Sequence, residues 1–191
     1  MLCGLLLLTL AVQAPVERQV QVLVAYHSDS GHTEKMARAA AAGAAAAGSR
    51  ALVKRVAEVT REDLLQADAI LLGSPVHMGD VAVEVRRALV DWSLKYGFWE
   101  SRQLQDKVAA VFATGGSPSS GKEFTMLSMA QSLLQLGMVL VAPYGSLGAS
   151  ATTAVPESDK GVDDRELEEA RRLGERAARV ARRMLPTASV K

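Results

Sequence analysis

Three short stretches hold the residue types that bind charged or conjugated small molecules. They are Ser28-Asp29-Ser30-Gly31-His32-Thr33, Ser74-Pro75-Val76-His77-Met78-Gly79, and the run from Thr114-Gly115-Gly116 to Gly121. The first suits a phosphate. The hydroxyls of Ser28, Ser30 and Thr33 can donate hydrogen bonds, and Gly31 lets the backbone approach closely. If a helix starts here, its N–H groups and dipole also favour an anion. The loop has no Lys and lacks GxxxxGK[ST] spacing, which argues against P-loop nucleotide hydrolysis. No GxGxxG follows, so a terminal phosphate is expected rather than a dinucleotide pyrophosphate. By itself the loop reads equally well as an ordinary capped turn. His27, His32 and His77 show no metal-ligand spacing with Cys or carboxylates, and the single Cys3 excludes a multi-cysteine site.

The elements that would position these stretches follow from the apolar pattern. Gln19 to Tyr26 is a Val-rich first strand, and Glu34 to Ala47 is an Ala-dense helix weakened by Gly43. Ala51 to Val56 is a second strand, and Thr60 with Asp63 opens a short helix. Ala69 to Leu72 forms a third strand ending at Gly73-Ser74-Pro75. Val81, Val85, Ala88, Leu89 and Trp92 fall at helical spacing. Lys107 to Ala113 and Met138 to Ala142 are the fourth and fifth strands, with a helix closed by Gly137 between them. Asp163 and Glu166 form a capping box that starts a final helix. Alternating strands and helices imply right-handed crossovers and a three-layer α/β sandwich. A five-stranded parallel sheet in the order 2-1-3-4-5 is expected. All three stretches leave carboxyl ends of its strands, at the switch point where such sheets bind ligands.

Composition agrees. Of 191 residues, 49% are hydrophobic and 4% aromatic, so the core must be Val, Leu and Ala. Net charge is +1, which gives no electrostatic case for nucleic-acid binding. Leu5 to Val12 is an apolar run before Val12-Gln13-Ala14, too short to span a membrane. It fits a cleaved export signal over residues 1–14, with the domain in 15–191. That would make the protein exported or periplasmic; otherwise it is cytoplasmic.

Tyr26-His27-Ser28-Asp29-Ser30-Gly31-His32-Thr33-Glu34-Lys35-Met36-Ala37-Arg38-Ala39 resembles the phosphate loop of the WrbA-type NAD(P)H:quinone oxidoreductases, relatives of flavodoxin. The likeness continues through Ala67 to Pro75, Met78-Gly79, Asp106 to Phe112, Thr114-Gly115 and Gly137 to Val139. Together these motifs span about Val20 to Leu185 in order. The resemblance implies a flavodoxin-like fold with FMN as cofactor and NADH or NADPH as co-substrate. Ser28, Asp29, Ser30, Gly31, His32 and Thr33 would form the phosphate loop. Pro75, Val76, His77, Met78 and Gly79 would line the flavin ring, and Thr114, Gly115, Gly116 and Gly121 would meet its polar edge.

Trp99 matches a family Trp at the ring pocket, although its residue type fits a buried or interface aromatic equally well. His77, if protonated, would stabilise negative charge on reduced flavin; the alternative is a solvent-facing loop histidine. The family also implies a homotetramer whose pockets are completed by neighbouring subunits. Trp92, Leu94, Tyr96, Phe98 and Trp99 form a segment suited to such an interface, or to the core.

The chain departs from the family in several places. His77 and Met78 replace an Arg and an aromatic, Ser30 replaces an aromatic, Leu136 replaces a flavin-bonding His, and the third loop is longer by two residues. The expected function is two-electron reduction of quinones by NAD(P)H. A one-electron carrier docking on redox partner proteins is the alternative, and a flavin-less interaction domain the third reading.

Overall fold

The computed structural model describes residues 18–155 and 158–185, so the export signal read over 1–14 lies outside the described residues. Strand β1 (Gln21–Tyr26) is buried on both faces after its first residue, as the central position in a covered sheet demands. Parallel β2 (Arg50–Arg55) and β3 (Ala69–His77) flank it, and β5 (Val108–Gly115) runs parallel to β3 on the far side. Helices α1 (His32–Ala46) and α6 (Asp164–Met184) cover one face of the sheet. The short α2 (Arg61–Gln66), α3 (Val83–Val90), α4 (Phe98–Ser101) and α5 (Lys122–Gln135) accompany a second core on the other face. The expected capping box of Asp163 with Glu166 forms, and Thr60 with Asp63, expected to open α2, makes a second one.

Gly43 is more than a weak point in α1. A Cβ there would collide with the Arg171 carbonyl of α6, and one on Gly174 would collide with that of Ala40. The two glycines let α1 and α6 cross at backbone distance.

The sheet departs from five simple strands. It has seven, and along its main path the order is β2-β1-β3-β5-β6, where β6 is Val139–Leu140. The long parallel strands keep the expected 2-1-3-4-5 sequence, but the fifth position is shared. Strand β6 pairs with Val108 and Ala109, whereas β7 (Ala149–Thr152) pairs with Phe112 to Gly115. The single strand expected over Met138–Ala142 is interrupted because Pro143 has no N–H to donate and Gly145 turns the chain at φ 83°. The remaining additional strand, β4 (Asp80–Val81), folds back antiparallel on β3. Here β3 runs on through Pro75 to His77 instead of ending at Leu72, and Met78 (φ 51°) and Gly79 (φ 82°) make a two-residue hairpin turn. A small separate ribbon, β8 (Ala154–Val155) with β9 (Ser158–Asp159), precedes α6.

Candidate active site

The first loop joins β1 to α1. Gly31, at φ 86°, is the helix N-cap, in the left-handed region that glycine enters at no steric cost. Its N–H donates to Ser28 Oγ at 3.0 Å, and the Ser28 carbonyl accepts from Arg55 at 3.0 Å. Ser30 Oγ and His32 Nδ1 are 2.8 Å apart. The first-turn N–H groups of α1 have no acceptors within the helix, which is the condition for holding an anion. Arg55 also lies 5.6 Å over the Tyr26 ring and 3.6 Å from Glu34, putting a cation beside the loop.

The three loops are tied to one another. Thr33 Oγ1 and Thr114 Oγ1 are 2.8 Å apart and buried, joining the first loop to the end of β5. Asp29 in the first loop accepts from His77 Nε2 at 2.9 Å across to the second. Its other oxygen accepts from His27 Nε2 at 3.1 Å, and the two imidazoles meet edge-on with centroids 6.2 Å apart. Burial pushes the Asp29 carboxyl up, but the hydrogen bonds from His77 and His27 outweigh it and hold it below the usual carboxylate range. The second loop touches the third where a Cβ on Gly121 would stand 2.7 Å from the Gly79 carbonyl. Behind the hairpin, Ser74 Oγ accepts from the Ala82 N–H at 3.0 Å.

Lys122 holds the third loop from inside. It is buried, and its three ammonium hydrogens have three acceptors: the carbonyls of Ser117 (2.9 Å) and Pro118 (3.1 Å) and Thr152 Oγ1 (2.9 Å). Burial pushes its pKa down, with the Glu123 and Glu166 charges opposing. Gly116 to Ser119 lie exposed above it. Nothing stands within 4 Å of where a Cβ would sit on Gly31, Gly79 or Gly116, so one glycine in each loop borders open space.

The structure therefore brings the three expected loops together, through Thr33 and Thr114, Asp29 and His77, and Gly79 and Gly121. Trp99 is elsewhere. It is half-exposed on α4 and lines cavities of about 460 and 300 Å³ together with Leu136. None of their lining residues belongs to the three loops. Gln105 and Gly137, at this end, precede β5 and β6, opposite the strand ends that carry the loops. Of the aromatic segment, Trp92 and Phe98 are buried in the core and Tyr96 is half-buried, donating to the Val59 carbonyl at 3.1 Å. Leu94 and Trp99 face outward.

Sequence reasoning missed Arg55 and Lys122. Each had a signal. Arg55 ends β2 in register with Tyr26, at the strand ends where ligands bind. Lys122 opens a helix, where a cation opposes the dipole and so implies a specific partner.

The flavodoxin family profile matches residues 24–171. An NAD(P)H dehydrogenase (quinone) of Archaeoglobus fulgidus is 32% identical, covering 86% of this chain and 98% of the relative. NAD(P)H dehydrogenase (quinone) 3 of Rhizobium meliloti is 33% identical, with 86% and 93% covered. The crystal structure of a flavodoxin, WrbA-like protein from Agrobacterium tumefaciens superposes with a TM-score of 0.72 at 31% identity, covering 87% and 99% of the two chains. The chain belongs to the flavodoxin family, among its WrbA-like NAD(P)H dehydrogenase (quinone) members.

Proposed function

We propose that the chain binds FMN in the crevice of the three loops and reduces quinones by two electrons at the expense of NAD(P)H. The observation that carries this reading is the junction of the three loops at the carboxyl ends of the strands, tied by Thr33 to Thr114 and by Asp29 to His77. The residues present fit such a group. Ser28, Ser30, Gly31, His32 and Thr33 would hold its phosphate, with Arg55 as the adjacent cation. Pro75 to Gly79 would line the ring, and Thr114, Gly115, Gly116 and Gly121 would offer backbone groups to its polar edge. FMN supplies the hydride chemistry when bound. The chain binds and orients, and His77 is suited to stabilise negative charge at the ring. Met78, Ser117 and Pro118 are exposed and no aromatic occupies the ring loops, which leaves room for a nicotinamide or a quinone to stack. The activity named for the relatives at 32–33% identity supports the same substrates.

The same reading includes a homo-oligomer, a tetramer as in the family. Phe124, Leu127 and Leu134 are exposed along one stripe of α5. Beside them runs a mixed cavity in which Leu89, Val90, Leu94, Trp99 and Leu136 stand with Arg86 and the serine and glutamine side chains of α5. An apolar patch of this kind marks a protein contact. Trp99 would then reach a ring pocket in a neighbouring subunit rather than its own. Light scattering of FMN-loaded protein should give a mass above the monomer, and a monomer at micromolar concentration refutes the oligomer.

The function is tested by stopped-flow mixing of FMN-loaded protein with NADH or NADPH, followed by benzoquinone. Bleaching within seconds and prompt recovery on quinone are expected. A flavin that neither nicotinamide bleaches in minutes, and that stops at the one-electron level under photoreduction, would make the protein a carrier. Titration with FMN, riboflavin and FAD tests the phosphate site; equal affinity for riboflavin and FMN removes it.

A further inference from the structure

We propose that Asp29 is a positioning residue for His77: it keeps a proton on Nε2 and leaves Nδ1 as the working nitrogen, with His27 sharing the same carboxylate. This rests on the reading of His77 as a group that acts beside bound flavin. A carboxylate in a phosphate loop needs a reason, because it repels the anion the loop would hold. Here both oxygens of Asp29 are occupied by imidazole N–H groups, at 2.9 Å from His77 and 3.1 Å from His27. A carboxylate accepts only, so each Nε2 must carry hydrogen. Fixing one ring nitrogen through a carboxylate sets the tautomer and orientation of the other.

The surrounding charges are few. Glu84 of α3 lies 3.4 Å from His27 Nε2, and Asp80, opposite His77 in the hairpin, is directed to the Val81 N–H at 2.6 Å and to Arg86 at 3.5 Å.

The chemistry requires one such proton. Reduction of a quinone by NAD(P)H consumes one hydride, carrying two electrons and one proton, and one further proton to give the hydroquinone and NAD(P)⁺. His77, protonated at Nδ1 while Nε2–H stays on Asp29, delivers that further proton to a quinone oxygen and regains one from solvent. The carboxylate keeps the ring aligned through both states.

The test combines ring-nitrogen NMR of histidine-labelled protein without flavin and kinetics of the FMN-loaded protein. Wild type should show His77 as the Nε2–H form, and Asp29→Asn should lose that preference. In loaded protein, Asp29→Asn should lower kcat for quinone reduction by about tenfold to a hundredfold. The double variant with His77→Gln should be no slower than His77→Gln alone. An unchanged His77 form in Asp29→Asn, or losses that multiply in the double variant, overturns the proposal. A His77→Gln protein with wild-type turnover, while Asp29→Asn still changes the ring, sinks the role given to His77 and leaves its positioning by Asp29 standing.

Discussion

Replacing Thr33 with Val isolates the bond that joins the first loop to β5. Thr33 and Thr114 are 1% and 3% exposed, their hydroxyls are 2.8 Å apart, and they are 81 residues distant in sequence. Valine keeps the volume, so no cavity forms. What changes is that the Thr114 hydroxyl is left buried without its partner. Such a group costs about 1–3 kcal/mol. At about 2 kcal/mol, a domain of this size should melt roughly 4–8 °C lower. Removing both hydroxyls as Thr33→Val/Thr114→Val takes away the orphan as well, so most of the loss should return, leaving the protein within about 1 kcal/mol of wild type. Denaturant unfolding of the flavin-free proteins measures all four corners of the cycle. FMN affinity is a separate readout. It should stay weakened in the double variant, because the Thr33 hydroxyl is still missing. Single-variant costs that simply add in the double variant would refute the reasoning, since the pair would then carry no coupling.

Gly31→Val places a β-branched residue at φ 86° and fills open space; calorimetry should find FMN weakened at least about tenfold, with riboflavin much less affected, and destabilisation of about 1–3 kcal/mol. Lys122→Met removes the three hydrogen bonds holding the third loop, and amide exchange over 116–121 should quicken without change in β1. Asp63 is held below its ordinary value of 3.8; burial pushes it up, but Lys54 and Thr60 outweigh that. Its contribution is thus present above that value and lost as pH falls through the lower folded one. Asp63→Asn should therefore be less stable than wild type at neutral pH, with the gap narrowing below about pH 4 in denaturant titrations.

The helices and long strands were legible because their signals are local. Ala density marked α1, and Asp163 with Glu166 marked the start of α6. The site loops were legible because a parallel sheet must put all its strand ends on one side, so Ser28, Pro75 and Thr114 had to converge. What stayed hidden depends on distant residues. That His27 and His77 share Asp29 requires the 48-residue separation of Asp29 and His77 to close, which spacing alone does not encode. The split fifth strand escaped because Ala149 to Thr152 has no strong apolar pattern; it is a strand only through its pairing with Phe112 to Gly115. Trp99 was assigned by family likeness, and a single chain sets it at the other end of the sheet.

The divided fifth position also governs how this sheet meets other molecules. An uninterrupted outer strand offers a row of unpaired N–H and C=O groups on which a foreign strand can grow. Here that row is cut into pieces of two and four residues, β6 and β7, and the chain turns away between them. The opposite border, β2, carries the charged Arg50, with Lys54 and Arg55 paired to Asp63 and Glu34, which makes it a polar edge rather than an apolar one. Among the described residues, neither border offers a long apolar row for cross-strand pairing, even though the strands between them are almost wholly apolar. Association of folded copies is thereby steered to the helical faces, and misassembly would need the sheet to come apart first.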